Sequence, residues 1–237
     1  LRAILLSVNQ TGLVRANEEF TKWMQGEKTL PFGDNNRHVS IKLIDVENLS
    51  NNSFIITNQY KVQSRETKIP DIVLLINGIP VVVGEAKTAT RSSVTWLDGA
   101  HEIHDIYENT VPQLFVPSIF SFATEGKEFY YGSVRCPLQF WSPWRLQSKD
   151  EELVQALGLK EVGNELIQIL NPVTLLEILQ NFSLYSSDKK KKRIKIVSRY
   201  QQFEGANRIV DRVLDGTIKQ GLIWHFQGSG KSLLMVF

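Results

Sequence analysis

The sequence is poor in cysteine, in long apolar runs and in excess charge of either sign. Its single cysteine, Cys136, excludes an internal disulfide and fits a reducing cytosol. No apolar run approaches the roughly 18 residues of a membrane-spanning helix, and no signal peptide is predicted. Lysine and arginine number 27 against 25 acidic residues, so a nucleic-acid surface would have to come from local patterning.

The 237 residues, 42% of them hydrophobic, are enough for a core in one large or two smaller domains. Because the chain begins at Leu1 and stops a few residues into a predicted helix, we expect a piece of a longer protein. Hydrophobic periodicity over residues 1–146 predicts an α/β domain. Its predicted elements are a helix over 1–26, strands over 38–46 and 53–63, a hairpin over 71–87, a helix over 94–109, and a strand pair over 118–124 and 128–134.

The sequence changes character after residue 146. Two short helices are predicted within 150–184. The basic run at 189–193 is typical of a disordered linker, although phosphate binding and a nuclear address are alternatives. A predicted helix over 197–213 and a short apolar strand over 221–226 follow. We therefore predict a helical and basic linker over 147–192 and a separate unit over 193–237.

The stretch PDIVLLINGIPVVVGEAK, residues 70–87, has the composition of a buried hairpin but carries three charges. Two apolar runs flank Asn77-Gly78, a strong hairpin signal. Asp71, Glu85 and Lys87 lie within or beside these runs. Glu85 and Lys87 are two residues apart, so they point to one face of a strand. A surface ion pair is one explanation, but the apolar run before Glu85 favours another, because a buried carboxylate needs a partner or a metal ion.

These residues fit a magnesium site that hydrolyses phosphodiesters. Carboxylate oxygens are the hard ligands that Mg²⁺ takes in proteins. We predict that Asp71 and Glu85 share the ion together with the backbone carbonyl of Ala86. Lys87 would orient or help deprotonate the attacking water and stabilise the developing negative charge.

This site makes a demand on the geometry of the hairpin. A two-residue loop at Asn77-Gly78 would put Asp71 on the face opposite to Glu85 and Lys87. A three-residue loop over 76–78, with its glycine in the left-handed conformation, puts all three charges on one face. We therefore predict an odd-numbered loop or a bulge.

Residues 225–232, HFQGSGKS, match most of the phosphate-loop pattern G-x-x-x-x-G-K-[ST]. His225 replaces the first glycine, and Gly228 supplies an internal one. Backbone N–H groups of residues 228–231 would cradle phosphates at the start of a helix. Lys231 would reach the β- and γ-phosphates, and Ser232 would hold Mg²⁺. A glycine-rich turn arising by chance is the alternative, and this chain alone is not expected to hydrolyse ATP.

Taken in order, these blocks resemble the restriction subunit, the motor and endonuclease, of type I restriction–modification enzymes. The similar stretches are NNSFIITNQYKV (51–62), the hairpin 70–87, YENTVPQLF (107–115), PWR (143–145), RYQQF (199–203) and GLIWHFQGSGKS (221–232). The resemblance implies a PD-(D/E)xK restriction-endonuclease-like domain, a mixed sheet flanked by helices. It also implies that this domain leads into the first RecA-like lobe of an ATP-driven DNA translocase.

The resemblance also assigns roles to residues at matching positions. It makes Asp71, Glu85 and Lys87 the nuclease triad, with Tyr107 and Glu19 as further candidates in the same domain. The nucleotide site that it implies consists of Gln202, Gly228, Ser229, Gly230, Lys231 and Ser232.

Two positions depart from the pattern. The family often shows Ile-Glu-Leu-Lys where this chain has GEAK at 84–87, and often a glutamine where this chain has Ile103. His101, His104 or Asp105 could stand in for that glutamine. The same residues with Glu102 could instead form a second metal site or simply the polar face of a helix. Trp141 and Trp144 could stack on bases, but core packing is the other interpretation.

The function that the resemblance implies is Mg²⁺-dependent cleavage of double-stranded DNA, with ATP and Mg²⁺ serving the motor. The implied partners are DNA and the methyltransferase (modification) and specificity subunits, in the cytoplasm of a bacterium or archaeon and not at a membrane. The alternative is a catalytically inert module of a helicase that binds DNA or docks subunits.

Overall fold

A computed structural model describes residues 1–33, 35–64, 66–88, 90–91, 93–146, 151–158 and 160–237. Its strands, numbered along the chain, are β1 (Thr29–Phe32), β2 (Arg37–Ser40), β3 (Phe54–Asn58), β4 (Val62–Gln63), β5 (Thr67–Lys68), β6 (Ile72–Ile76), β7 (Ile79–Ala86), β8 (Phe120–Thr124), β9 (Phe129–Gly132), β10 (Ser142–Pro143), β11 (Ser183–Ser187) and β12 (Arg193–Val197). A six-stranded mixed sheet has the order β10-β9-β8-β7-β6-β3, and the remaining strands form three two-stranded hairpins.

The middle of the large sheet is buried on both faces. Strand β7 runs parallel to β8 and antiparallel to β6. Every residue of β8 is buried, and so are residues 81–85 of β7. This explains the near-continuous apolar runs, since strands covered on both faces have no polar side to present. Gly84 is required by the packing, because a Cβ there would lie 2.2 Å from the ring of Phe122.

Helices cover the sheet and connect its strands. They are α1 (Arg2–Thr11), α2 (Leu13–Met24), α3 (Trp96–His101), α4 (Glu108–Thr110), α5 (Pro112–Phe115), α6 (Glu151–Ala156), α7 (Glu161–Leu170), α8 (Pro172–Asn181), α9 (Tyr200–Asp215) and α10 (Lys231–Leu234). A π-helical turn, Glu102–Tyr107, joins α3 to α4, and 3₁₀ turns occupy Leu49–Asn51 and Leu138–Phe140. No helix in the described ranges is both long and apolar enough to cross a membrane.

The hairpin β11–β12 packs against the large-sheet domain through buried polar contacts. The Tyr185 hydroxyl donates to Asn17 Oδ1 on α2 at 2.6 Å, and Tyr131 Oη donates to the Ser198 carbonyl at 2.5 Å. Buried Lys195 on β12 donates its Nζ to the carbonyl of Ser118 at 2.8 Å. Helix α9, which follows the hairpin, also contacts this domain: the rings of Trp144 and Phe203 pack edge-on, with 5.2 Å between their centroids.

Several predicted elements are confirmed. The mixed α/β architecture is present, and the predicted strand pair forms β8 and β9. The predicted helix over 94–109 corresponds to the helical stretch from α3 through α4. Three short helices, α6 to α8, lie within 150–184, where two were predicted, and residues 183–184 already belong to β11. Residues 150 and 159 of this region lie outside the described residues.

Other predictions are wrong, each for a local reason. The helix over 1–26 is two helices, because Gly12 lies between them with φ 82°. The strand over 38–46 is confined to β2, and the helix predicted from residue 197 begins at Tyr200, because 193–197 form β12. The basic run is not a disordered linker, since residues 188–192 close the β11–β12 hairpin. Residues 221–226 form no strand.

Candidate active site

The charged hairpin turns on two residues and contains a bulge. Asn77 and Gly78 have φ of 52° and 78°, as a two-residue type I′ turn requires, and Ile76 pairs with Ile79. The predicted three-residue loop is therefore wrong. The register then shifts, because Leu75 pairs with Pro80 whereas Leu74 pairs with Val82. Val81 is the extra residue, so the predicted bulge is confirmed in β7 rather than at the turn.

The bulge brings the two carboxylates together. After it, Ile72 pairs with Gly84, so Asp71 and Glu85 lie opposite each other one residue further along. The amide N–H of Asp71 donates to Glu85 Oε1 at 3.3 Å, and Lys87 Nζ donates to Glu85 Oε2 at 3.1 Å. The three predicted triad residues therefore converge at one end of the hairpin.

Backbone groups complete one side of this cluster. The N–H of Ala86 donates to Asp71 Oδ2 at 3.0 Å, whereas the N–H of Lys87 turns the other way, to the carbonyl of Thr124. In an extended strand the N–H and C=O of a residue point to the same side. We therefore expect the Ala86 carbonyl on the side of β7 that faces Asp71.

Asp71 is also held from outside the hairpin. The Gln59 side-chain amide donates to Asp71 Oδ1 at 2.9 Å, and the Gln59 backbone N–H donates to the Asp71 carbonyl at 2.9 Å. Gln59 has φ 50°, a conformation uncommon for a residue with a side chain. Both oxygens of the Asp71 carboxylate thus have a donor, which fixes its orientation.

Glu85 is placed where a negative charge is costly. It is only 2% exposed, and α3 packs on it, since a Cβ on Gly99 would lie 3.0 Å from the Cβ of Glu85. Burial, followed by the neighbouring Asp71, raises the pKa of Glu85 to about 7, and Lys87 only partly opposes this shift. A cation between the carboxylates would relieve the repulsion that raises this pKa.

The residues fit a magnesium ion in number and kind. They offer two carboxylates and one backbone carbonyl, and Mg²⁺ commonly binds one or two carboxylates while keeping several waters and taking substrate phosphates. Within the described ranges, no group of three or more histidine, cysteine, aspartate or glutamate residues is arranged to hold a metal ion. With two carboxylates and one carbonyl, the hairpin suits an open site that leaves positions for water and substrate phosphates.

Lys87 lies between two carboxylates. Its Nζ contacts Glu85 and makes a shorter contact with Glu102 Oε2 on the π-helical turn. Burial works against the charge of Lys87, but the hydrogen bonds and charges of Glu102 and Glu85 outweigh it and raise the pKa of this lysine. Lys87 is therefore held as a cation.

Tyr107 joins the cluster through the same carboxylate. Its hydroxyl donates to Glu102 Oε1 at 2.8 Å, and burial together with Glu102 raises the pKa of Tyr107 above its ordinary value. The predicted Tyr107 thus lies at the site, and Glu102 is a site residue that the sequence did not single out. The available signal was its place in a polar cluster, which does not distinguish it from His101 or Asp105.

The neighbouring polar residues of this helix do not take part. Asp105 accepts from His101 Nδ1 and His104 Nδ1 at 2.7 Å each, and these contacts lie on an exposed face. Ile103 is fully buried in the core. The suggestion that His101, His104 or Asp105 replaces the missing glutamine is therefore wrong, and the polar-face interpretation is correct for those three.

Three other candidate residues, Glu19, Trp141 and Trp144, are not part of the cluster around Glu85. Glu19 pairs with Lys28 Nζ at 2.9 Å, and no contact in the described part of the chain joins it to the triad. Trp141 and Trp144 are 6% and 0% exposed, so they pack in the core rather than present faces to bases.

The glycine-rich loop leads into a helix start, as its sequence predicts, although no strand precedes it. Gly228 and Gly230 have φ of 85° and 81°, and α10 begins at Lys231. Lys231 Nζ donates to the carbonyls of His225 and Phe226 at 3.0 Å each.

Gln202 reaches this loop from α9. Its Nε2 donates to the Gly230 carbonyl at 3.2 Å, while its Oε1 accepts from the Arg199 N–H at 2.8 Å. Ser229 is buried beside it, and Ser232 is exposed at the start of α10. The structure therefore brings the predicted nucleotide residues together around one loop.

Comparisons with known proteins assign the chain to a family. Residues 2–140, more than half of the chain, match the family described as the N terminus of the type I restriction enzyme R protein, so the chain belongs to that family. Residues 201–237 are similar to the SWI2/SNF2 ATPase family. The predicted resemblance to type I restriction subunits is confirmed.

Curated relatives carry the same family name. The chain is 30% identical over 234 residues to the type I restriction enzyme HindI endonuclease subunit of Haemophilus influenzae, covering 95% of this chain and 22% of that relative. It is 37% identical over 213 residues to the putative MjaVIIP endonuclease subunit of Methanocaldococcus jannaschii, covering 83% and 19%. The chain thus spans about a fifth of the length of these relatives.

Proposed function

We propose that this chain carries the Mg²⁺-dependent nuclease of a type I restriction complex, a PD-(D/E)xK endonuclease that cleaves double-stranded DNA. The observation that carries the proposal is the convergence of Asp71, Glu85 and Lys87 at one end of a bulged hairpin. Asp71, Glu85 and the Ala86 carbonyl would hold the ion. When bound, the ion would supply Lewis-acid polarisation of the phosphate and a more acidic water.

The protein groups perform the remaining tasks. The raised pKa of Lys87 favours a cation over a general base, so Lys87 would stabilise negative charge that develops on the phosphate oxygens. Asp71 would be aligned by its donors from Gln59 and Ala86. Tyr107 would remain a protonated donor.

Residues 193–237 would begin the RecA-like motor that drives DNA translocation with ATP. The left-handed glycines at 228 and 230 and the Gln202 contact support this assignment. Lys231 would exchange its two carbonyl partners for the β- and γ-phosphates of ATP, and Ser232 would bind the nucleotide's Mg²⁺. Methyltransferase and specificity subunits would supply target recognition.

The decisive test is Lys87→Ala in the assembled complex. Cleavage of duplex DNA should fall by at least about a hundredfold, because one charge-stabilising donor is removed, while DNA-stimulated ATP hydrolysis continues. Lys42→Ala is the matched control, because this exposed lysine pairs with Glu47 away from the triad and should leave both activities intact. Cleavage by the Lys87→Ala complex at the wild-type rate would refute the nuclease assignment.

Metal binding separates the nuclease from the inert alternative. Mn²⁺ titrated into the wild-type chain should bind, and a crystal soaked in Mn²⁺ should show density between Asp71 and Glu85. Asp71→Asn should weaken this binding by about tenfold or more, because it removes a charged ligand. Absence of Mn²⁺ binding at high concentration would favour a module that binds DNA or docks subunits without cutting.

A further inference from the structure

We propose that Glu102 is a positioning residue for Lys87: its carboxylate, carried on the π-helical turn, holds the Lys87 ammonium in place without itself binding the metal ion. The inference rests on the proposed nuclease function and assigns a further residue to the same site.

The π-helical turn is what brings Glu102 and Tyr107 to one side. In an α-helix, residues five apart point about 140° away from each other, given 3.6 residues per turn. In a π-helix the hydrogen bond runs from residue i to i+5, so residues five apart lie nearly above one another. The turn Glu102–Tyr107 is π-helical, and its first and last side chains are joined by the Tyr107 hydroxyl at 2.8 Å from Glu102 Oε1. Such turns inside α-helices are frequent at functional sites.

Both oxygens of the Glu102 carboxylate are already engaged. Oε1 accepts from Tyr107, and Oε2 accepts from Lys87 Nζ. No contact in the described chain joins Glu102 to Asp71, and no group of three metal-binding side chains forms among the described residues. The carboxylate is therefore oriented towards the lysine rather than towards the ion.

The charge balance explains why the lysine needs this second anchor. Glu85 is the other partner of Lys87, but a divalent ion bound to Glu85 would take up its negative charge and repel the ammonium. The lysine stem has four rotatable carbons, and its side chain is 23% exposed, so a lysine without another partner would turn towards water. Glu102 offers an anchor that the ion does not occupy.

The test compares Glu102→Ala, Glu102→Gln and Asp105→Asn in the assembled complex. Glu102→Ala should lower the cleavage rate at saturating Mg²⁺ by about tenfold to a hundredfold, while the Mg²⁺ concentration for half-maximal cleavage changes less than about twofold. Glu102→Gln keeps an acceptor of the same length and should recover part of the rate. Asp105→Asn removes a carboxylate from the exposed face of the same turn and should behave as wild type.

The remaining outcomes decide against the proposal. An unchanged cleavage rate for Glu102→Ala would show that Lys87 needs no second anchor. A large rise in the half-maximal Mg²⁺ concentration, with weaker Mn²⁺ binding to the chain, would make Glu102 a metal ligand instead. Wild-type complex that neither cuts DNA nor binds Mn²⁺ would overturn the proposed function itself, a result distinct from either outcome for Glu102.

Discussion

The two candidate sites of this chain differ in how much of the protein holds them in place. The residues proposed for the nuclease lie at the end of the central strands, where residues 81–83 are at most 1% exposed. The segment before the phosphate loop lacks such support, since 217–226 form no regular element and Trp224 and Leu222 are 86% and 82% exposed. The glycine-rich loop nevertheless has left-handed glycines and a helix start.

The comparison separates local from long-range requirements. A phosphate loop depends on the conformations of a few consecutive residues, which glycines allow without a neighbouring sheet. The proposed metal site at Asp71 and Glu85 depends on the pairing of two strands and on one bulge. The first type of site can therefore form locally, and the second only when the sheet is complete.

The largest expected effect is on the free energy of unfolding, when a buried tryptophan and an exposed one are each replaced by alanine. Trp144 is fully buried and contacts Tyr131 and Phe203, whereas Trp224 is almost fully exposed. Trp144→Ala should reduce the free energy of unfolding by about 3–5 kcal/mol through the lost contacts and the cavity. Trp224→Ala should change it by less than about 0.5 kcal/mol. Denaturant unfolding of both variants measures the difference. A loss above about 2 kcal/mol for Trp224→Ala would contradict the difference in packing between the two regions.

The sequence indicated the three charged residues that converge in the structure, because charge inside an apolar hairpin is a strong local signal. It also indicated that the hairpin needs an odd insertion, since strand side chains alternate with period two. The position of the inserted residue could not be predicted from the sequence. Asn77-Gly78 favours a two-residue turn, and the run around Val81 offers no mark that distinguishes the bulged residue from its neighbours.

Two errors of prediction, at Glu102 and at residues 221–226, have the same cause: both depend on contacts or backbone geometry that local sequence does not specify. Glu102 was not singled out because α-helical spacing separates it from Tyr107, and the π-helical turn that brings them together was not predicted from the sequence. The strand at 221–226 was predicted from local apolar character, but a strand exists only when a neighbour accepts its hydrogen bonds. Local composition describes such a segment's preference and not its partner.

The second-largest expected effect is a pH dependence of stability, which tests whether the β11–β12 hairpin is packed as tightly as the large sheet. Burial lowers the pKa of Lys195 to about 7 from its ordinary value of 10.5. Between these values the unfolded chain binds a proton that the folded chain does not, so the free energy of unfolding should rise with pH, by up to about 1.4 kcal/mol per pH unit. Lys195→Met should flatten this rise between pH 8 and 10 and stabilise the protein at pH 8.

Two features of the structure make the Lys195→Met experiment easy to interpret. The carbonyl of Ser118 loses its Lys195 donor in the variant but keeps the Asn17 Nδ2 donor at 2.8 Å, so no acceptor is left unpaired. Lys127→Met, at an exposed position after β8, is the control and should retain the wild-type slope. An equal pH slope in wild type and Lys195→Met would show that the hairpin detaches readily and that Lys195 is solvated.

The smallest effect concerns the alignment of Asp71 by Gln59. Gln59→Gly removes the amide that donates to Asp71 Oδ1 and suits the left-handed backbone, so the fold should be retained. Mn²⁺ affinity should fall by about threefold to tenfold, because the Ala86 N–H still holds the other oxygen of the carboxylate. Asn36→Gly, an amide-to-glycine change at another exposed left-handed position, should leave the affinity unchanged. Equal affinities for wild type and Gln59→Gly would mean that the sheet alone aligns the carboxylates proposed to bind the metal ion, which would increase the difference between this site and the phosphate loop.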